Sequence, residues 1–226
     1  MQIKHYSLFN SSSKTLNWES LRDDASEDAY FLPYTREAYL KKVDVEQPSA
    51  ITKQVIEVCK ELLLTKIFSI GSGIAAQEYQ LKKFASLPVV VSDYTDSIHR
   101  LREFNVFDDA IQLDAFKDAF PVEKNTLLLF PRIDTEFEND QLEIIFRKCF
   151  EAGVQYIWFI PAELLSMRIV AAELKIALLS IIRRKPRVFC GYARSKRAFE
   201  KIWGKYYRTI QVIDNEKTTY LLQSVR

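Results

Sequence analysis

Two of the chain's five glycines stand within three residues of each other, at Gly71-Ser72-Gly73, between the apolar run KIFSI (66–70) and a helical pattern. Glycine at a strand-to-helix turn lets the backbone bend sharply, and no β-carbon keeps a ligand from the chain there. The helix start also supplies unpaired N–H donors. Ile70 and Ser72 complete the turn. Asp93 follows Gly73 by twenty residues, at the end of a second apolar run, PVVVSD (88–93). In a sheet of parallel strands such a carboxylate lies at the carboxyl edge beside the glycine turn, where it can accept from the two hydroxyls of a ribose. A third run, DAIQLD (109–114), ends in Asp114, followed by Ala115 and Phe116. An adenine amino group can donate to Asp114, with Tyr94 or Phe116 flanking the base.

These three edges need strands that run the same way. Besides the runs above, TLLLF (126–130) and QYIWFI (155–160) are apolar, and helical patterns near 74–85, 95–104 and 139–151 separate the five. That alternation predicts a parallel sheet covered on both faces. A helix from Pro48, with apolar residues three and four apart, precedes the first strand. YRTIQVID and TTYLLQSV, joined by NEK, read as a closing antiparallel hairpin. Two further helices are expected near 162–184 and 195–203. The first carries two narrow polar rows and therefore two apolar faces, so it needs a partner besides the sheet. The N-terminal extension, a second subunit and lipid are the options. Residues 1–47, with an acidic cluster and an aromatic-rich stretch, read as that extension, a cap over the substrate side. Residues 48–226 form the main domain.

The motifs IFSIGSGIA, VVVSDYTDS, IQLDAF and LLLFPRID, in this order, resemble those of the class I S-adenosylmethionine-dependent methyltransferases. The resemblance covers about residues 48–226. It implies an α/β fold: a doubly wound, Rossmann-like, seven-stranded sheet, mostly parallel, with a C-terminal antiparallel hairpin and here an N-terminal helical extension. It implies S-adenosylmethionine as cofactor, with Gly71 and Gly73 against its methionine and ribose parts, Asp93 at the ribose, Asp114 and Phe116 at the adenine, and Phe130 near the methyl donor. Arg132 and Asp134 fall where the family places substrate-facing residues. Arg132 is expected to orient an anionic group of the acceptor, and Asp134 to act as base or as its partner. Tyr34, with Tyr30, Arg36 and His5, completes an acceptor pocket if the extension folds over the crevice. His99, inside a helix, is not expected to be catalytic. Two positions depart from the family pattern. Ser69 stands where an acidic residue usually helps hold the cofactor's ammonium, and Ala75 where a third glycine is usual. A serine offers one neutral hydrogen bond in place of a charge.

With 226 residues, 48% hydrophobic and 27% charged, the chain has the make-up of a globular protein able to bury one large core. Three cysteines without a C-x-x-C pair and two histidines far apart leave little for a disulfide framework, a metal site or a serine–histidine hydrolase. No metal is expected, and no P-loop is present. Neither a signal peptide nor a transmembrane run is evident, which suggests the cytoplasm. Residues 183–208 hold ten Lys or Arg against Glu200, about +9, while the remainder carries about −7. That asymmetry suits an anionic small-molecule acceptor, or RNA as a less favoured partner. Two other functions stay open. Gly71 to Ala76 also satisfies the G-x-G-x-x-A of NAD-dependent oxidoreductases, and Ser69 motivates a methyltransferase-like shell that only binds a partner.

Overall fold

The computed structural model describes residues 3–6, 14–15, 17–184, 187–214 and 217–226, with the main chain alone for 3–6, 14–15 and 187–190. Two short strands open the chain, β1 (Ile3–Tyr6) and β2 (Lys14–Thr15). Helices α1 (Trp18–Asp23), α2 (Arg36–Val43) and α3 (Ala50–Glu61) follow. Asn17, Thr35 and Ser49 cap them, each side chain accepting from a backbone amide in the first turn.

The alternating part then runs β3 (Lys66–Ile70), α4 (Ala76–Phe84), β4 (Val89–Asp93), α5 (Ile98–Phe104), β5 (Asp109–Gln112), β6 (Thr126–Pro131), a 3-10 turn (Ile133–Thr135), α6 (Asn139–Glu151) and β7 (Tyr156–Ile160). The chain closes with α7 (Met167–Ile182), β8 (Arg187–Gly191), α8 (Lys196–Trp203), β9 (Tyr207–Asp214) and β10 (Thr218–Ser224). Seven strands form one sheet in the order β5-β4-β3-β6-β7-β10-β9. β3 to β7 are parallel, and β10 is antiparallel to both β7 and β9. Two buried layers flank the sheet, one around Val55, Ile67 and Leu127, the other around Phe68, Phe146 and Trp203. The expected seven-stranded α/β sheet with its hairpin is therefore present; Asn215 and Glu216 of the hairpin's turn lie outside the described residues.

Three differences from the sequence reading bear on the site. A second, three-stranded parallel sheet, β1-β8-β2, was not expected. Its strands are short and far apart in sequence, so no local pattern announces them. Residues of the N-terminal segment also enter the main core, since Leu32, Tyr39 and Val43 share one buried cluster with Val55 and Ile67. Helix α7 starts at Met167, not near 162. Ser166 caps it, and the residues before it are tied elsewhere: the Ala162 amide donates to Asp134, and Leu164 bridges Arg194.

Candidate functional site

A cavity of about 630 Å³ opens at the carboxyl edge of β3, β4 and β5, the position at which parallel α/β sheets bind ligands. The glycine turn crosses its floor. Gly71 and Gly73 have φ of +73° and +61°, a conformation that glycine adopts without strain. A β-carbon on Gly71 would lie 2.7 Å from Ile133, and one on Gly73 2.7 Å from the Arg22 guanidinium. The turn makes room but keeps its amides to itself. The amides of Gly71 and Ser72 both donate to Ser92 O, at 2.8 and 2.9 Å, and Ala75 N donates to Ser72 O. Gly73 N donates to Asp93 Oδ2 at 2.8 Å. The expectation that these amides face a ligand is corrected accordingly.

Asp93 is buried as the brace of this turn. Its Oδ1 accepts from the Thr95 amide and hydroxyl, at 3.0 and 2.8 Å. With three donors already on two oxygens, it can take about one more, not the two first assigned to it. Asp114 also lines the cavity and caps its own turn by accepting from the amides of Phe116 and Lys117. Burial pushes its carboxyl up, but the Lys117 ammonium at 2.9 Å and those two amides outweigh this and leave it below the usual range.

Of the residues singled out in the sequence, Ile70, Gly71, Ser72, Gly73, Asp93, Tyr94, Asp114, Ala115 and Arg132 line one cavity. Four do not. Phe130 turns into the opposite core layer and packs edge-on against Phe146, because it sits on the buried face of a central strand. Phe116 stands behind Phe137, their rings stacked at 6.5 Å, and Phe137 is the one that reaches the cavity. Asp134 is buried beneath the 3-10 turn, with Oδ1 accepting from Ala162 N at 3.0 Å. It ties two loops together and does not line the cavity, and its Oδ2 has no hydrogen-bond partner. Tyr34 is 62% exposed; its hydroxyl donates to Asp23 O, and the Arg100 guanidinium stands 4.6 Å over its ring. It helps fasten the N-terminal segment to α5. Arg36 does the same through Phe104 O, at 3.0 Å. The side chain of His5 lies outside the described residues. His99 meets Gln112 on the exposed side of α5.

Tyr30, expected in the acceptor pocket, lines the cavity, and the structure adds residues that the sequence did not single out. Trp18 and Arg22 of α1, together with Tyr30, form the wall that the N-terminal segment contributes. Arg22 is buried; Nη1 donates to Tyr30 O at 3.2 Å, while its Nε has no hydrogen-bond partner. Arg132 enters from the other side, held at φ +65° by its amide's bond to Ile160 O, and its Nε is likewise unpartnered. Glu78 of α4 is 1% exposed and accepts the Ser69 hydroxyl at 2.6 Å. Burial, helped by Asp93, pushes its pKa up to about 7 against the hydrogen bond from Ser69. Glu136 lines the cavity and is exposed; desolvation by its neighbours and the nearby Asp93 push its pKa up to about 7, with Arg22 opposing. No cluster able to hold a metal ion occurs among the described residues.

The buried acids set a pH dependence. Glu78 moves from 4.5 to about 7 and Asp134 from 3.8 to about 6, both upward and both mainly through burial. Each contributes stability that is fully present below its unfolded pKa and is lost as the pH rises through the folded one. The ligand-free chain is therefore expected to unfold at lower temperature as the pH goes from about 5 to about 7.5. Glu78 alone accounts for a change on the order of 3 kcal/mol. Melting curves across that range check this; a midpoint that climbs steadily with pH would contradict the burial of these acids.

In sequence, no protein-family model and no curated protein matches the chain. Solved structures do resemble it. Human N-acetylserotonin methyltransferase in complex with SAM superposes with a TM-score of 0.58 at 14% identity, covering 93% of this chain and 63% of that one. An O-methyltransferase family 2 protein from Planctomyces limnophilus in complex with apigenin gives 0.58 at 14% identity, covering 95% and 63%. Magnesium protoporphyrin IX methyltransferase from Synechocystis with bound SAH gives 0.58 at 10% identity, covering 92% and 97%. The chain thus spans less than two thirds of the length of the first two. Strand order, closing hairpin, the helix ahead of β3 and these superpositions agree: the chain has the fold of the class I S-adenosylmethionine-dependent methyltransferases.

Proposed function

We propose that the chain is an S-adenosylmethionine-dependent methyltransferase acting on a small, anionic acceptor. The observation that carries this reading is Glu78. The strand position that lacks its expected acid is occupied by Ser69, yet a buried carboxyl from α4 is hydrogen-bonded to that serine at 2.6 Å and lines the cavity. The negative group missing from the strand is supplied by the neighbouring helix. S-adenosylmethionine carries its methyl group on a sulfonium, from which an aligned nucleophile takes it by in-line displacement.

In this reading Gly71 and Gly73 leave room for the cofactor, Glu78 holds its ammonium, and Asp93 and Asp114 hold its nucleoside. The buried Arg22 and the half-buried Arg132, each with an unpartnered Nε atom on one cavity, support an acceptor with an anionic group. Glu136 replaces Asp134 as the group able to take a proton from it, since a carboxyl near 7 can serve as base at neutral pH. Trp18 and Tyr30 support the N-terminal segment as a cap on the acceptor side. The free, buried Cys59 and Cys149 fit a reducing cytosol.

Thermal unfolding with S-adenosylmethionine, S-adenosylhomocysteine and NAD in parallel tests the reading. A ligand at a hundred times its Kd adds about 2.7 kcal/mol, expected as a rise of roughly 5 to 10 °C with the two sulfur compounds and none with NAD. A rise with NAD alone would make the chain an oxidoreductase. No rise with any of the three would make it a binding shell.

A further inference from the structure

We infer that the outer face of α7 rests on an anionic lipid surface. This goes beyond the methyl-transfer reading and does not depend on it. The helix is turned inside out. Of its sixteen residues only Glu173, its one acid, is buried, at 2% exposed. Ile169, Val170, Ile176 and Leu179 are half-buried, while on the outer face Met167 is 83% exposed, Leu174 54%, Leu178 59% and Ile181 74%. With Ala171 these residues follow one another at intervals of four, three, four and three, which makes a single continuous stripe along the helix. Isolated exposed apolar residues are ordinary, but a contiguous stripe marks a contact surface.

Charge decides what the stripe contacts. From Leu165 to Arg184 the exposed ionisable side chains are Arg168, Lys175, Arg183 and Arg184, all positive. A second copy of the chain, packed stripe to stripe about a two-fold axis, would bring these same cations together. A bilayer with anionic headgroups takes the apolar stripe and the flanking cations at once. At sixteen residues the helix is only about 24 Å long, so it would lie along the surface. Among the described residues no helix is long and apolar enough to cross a membrane. The segment that leads into α7 is tied to the 3-10 turn through Ala162 N and Asp134.

Sedimentation with phosphatidylcholine vesicles, with and without phosphatidylglycerol, tests this with no need for activity. The chain is expected to pellet with the anionic vesicles only. The Leu174→Glu/Leu178→Glu variant should stay in the supernatant with an unchanged melting curve, and Lys175→Ala should weaken partitioning roughly fivefold. Equal binding to neutral vesicles, or none to either, would overturn the proposal. So would a dimer in light scattering that Leu178→Glu dissociates, which would assign the stripe to a second copy.

Discussion

Replacing Arg194 with alanine is expected to cost about 3 to 5 kcal/mol of folding stability. Arg194 is 4% exposed and reaches three acceptors, two on the loop after β6 and one at the start of α6. Nη1 donates to Asp134 O at 2.6 Å, Nε donates to the Asn139 side chain at 2.7 Å, and Nη2 donates to Phe137 O. Its guanidinium also stands 5.1 Å over the Tyr192 ring. A planar, permanently charged group with diverging N–H bonds is what three such acceptors require. Alanine would leave three polar groups without donors, in a place where Asp134 is itself buried. The loop that carries two of them supplies Ile133, Thr135, Glu136 and Phe137 to the cavity, so the stability of the fold and the shape of the site rest on the same side chain. A loss of that size lowers the melting midpoint by on the order of 10 °C for a chain of this length. Arg194→Lys, which can satisfy fewer acceptors, should fall in between. Urea unfolding with an unchanged m-value would establish the loss as one of native-state stability. An alanine variant within about 1 kcal/mol of the parent would show that the loop does not need this anchor.

Arg194 also shows why the sheet was easier to read from the sequence than the site. β3, β4, β6 and β7 are mostly apolar, with nearly every residue buried, and hydrophobicity over a few neighbouring residues is a local property. The functions of Arg194, Glu78 and Arg22 are not local. Arg194 lies in a basic segment that reads as a solvated face, yet its acceptors are more than fifty residues away. Glu78, in the first turn of a helix, looks like an ordinary solvent-facing acid until the fold brings Ser69 beside it. Arg22 belongs to a stretch whose acidic neighbours hid it. The misplaced base has a different origin. Asp134 and Glu136 are two residues apart, and the 3-10 turn at Ile133–Thr135 sends one inward and the other to the cavity. Nothing in IDTEF announces which is which. The left-handed conformation of Ala75, φ 55°, was hidden for the opposite reason. Alanine rarely adopts it, so the pattern placed the start of α4 two residues too early.

Glu78→Gln is expected to lower affinity for S-adenosylmethionine roughly 10- to 100-fold while leaving the fold intact. Glutamine keeps the shape and can still accept the Ser69 hydroxyl, but it carries no charge. A hydrogen bond to a charged partner is worth about 1.5 to 3 kcal/mol, which is the loss predicted here. Because the native carboxyl is raised to about 7, ionising it in the empty cavity opposes folding, and the variant should be the more stable protein near neutral pH. A substitution that strengthens the fold while weakening one ligand separates a binding role from a structural one. Adenosine supplies the control: it lacks the methionine part, so its affinity should not change. Binding of the sulfonium compound should also release a proton near neutral pH, since a bound ammonium favours the ionised carboxyl. Affinity should therefore grow as the pH rises toward the folded-state value, and that dependence should vanish in the variant. Calorimetry in buffers of different ionisation enthalpy reads affinity and proton release together. Equal losses for adenosine and S-adenosylmethionine would mean that Glu78 only shapes the cavity. An unchanged affinity in a parent that does bind S-adenosylmethionine would return the ammonium to another residue, with the methyltransferase reading itself still standing.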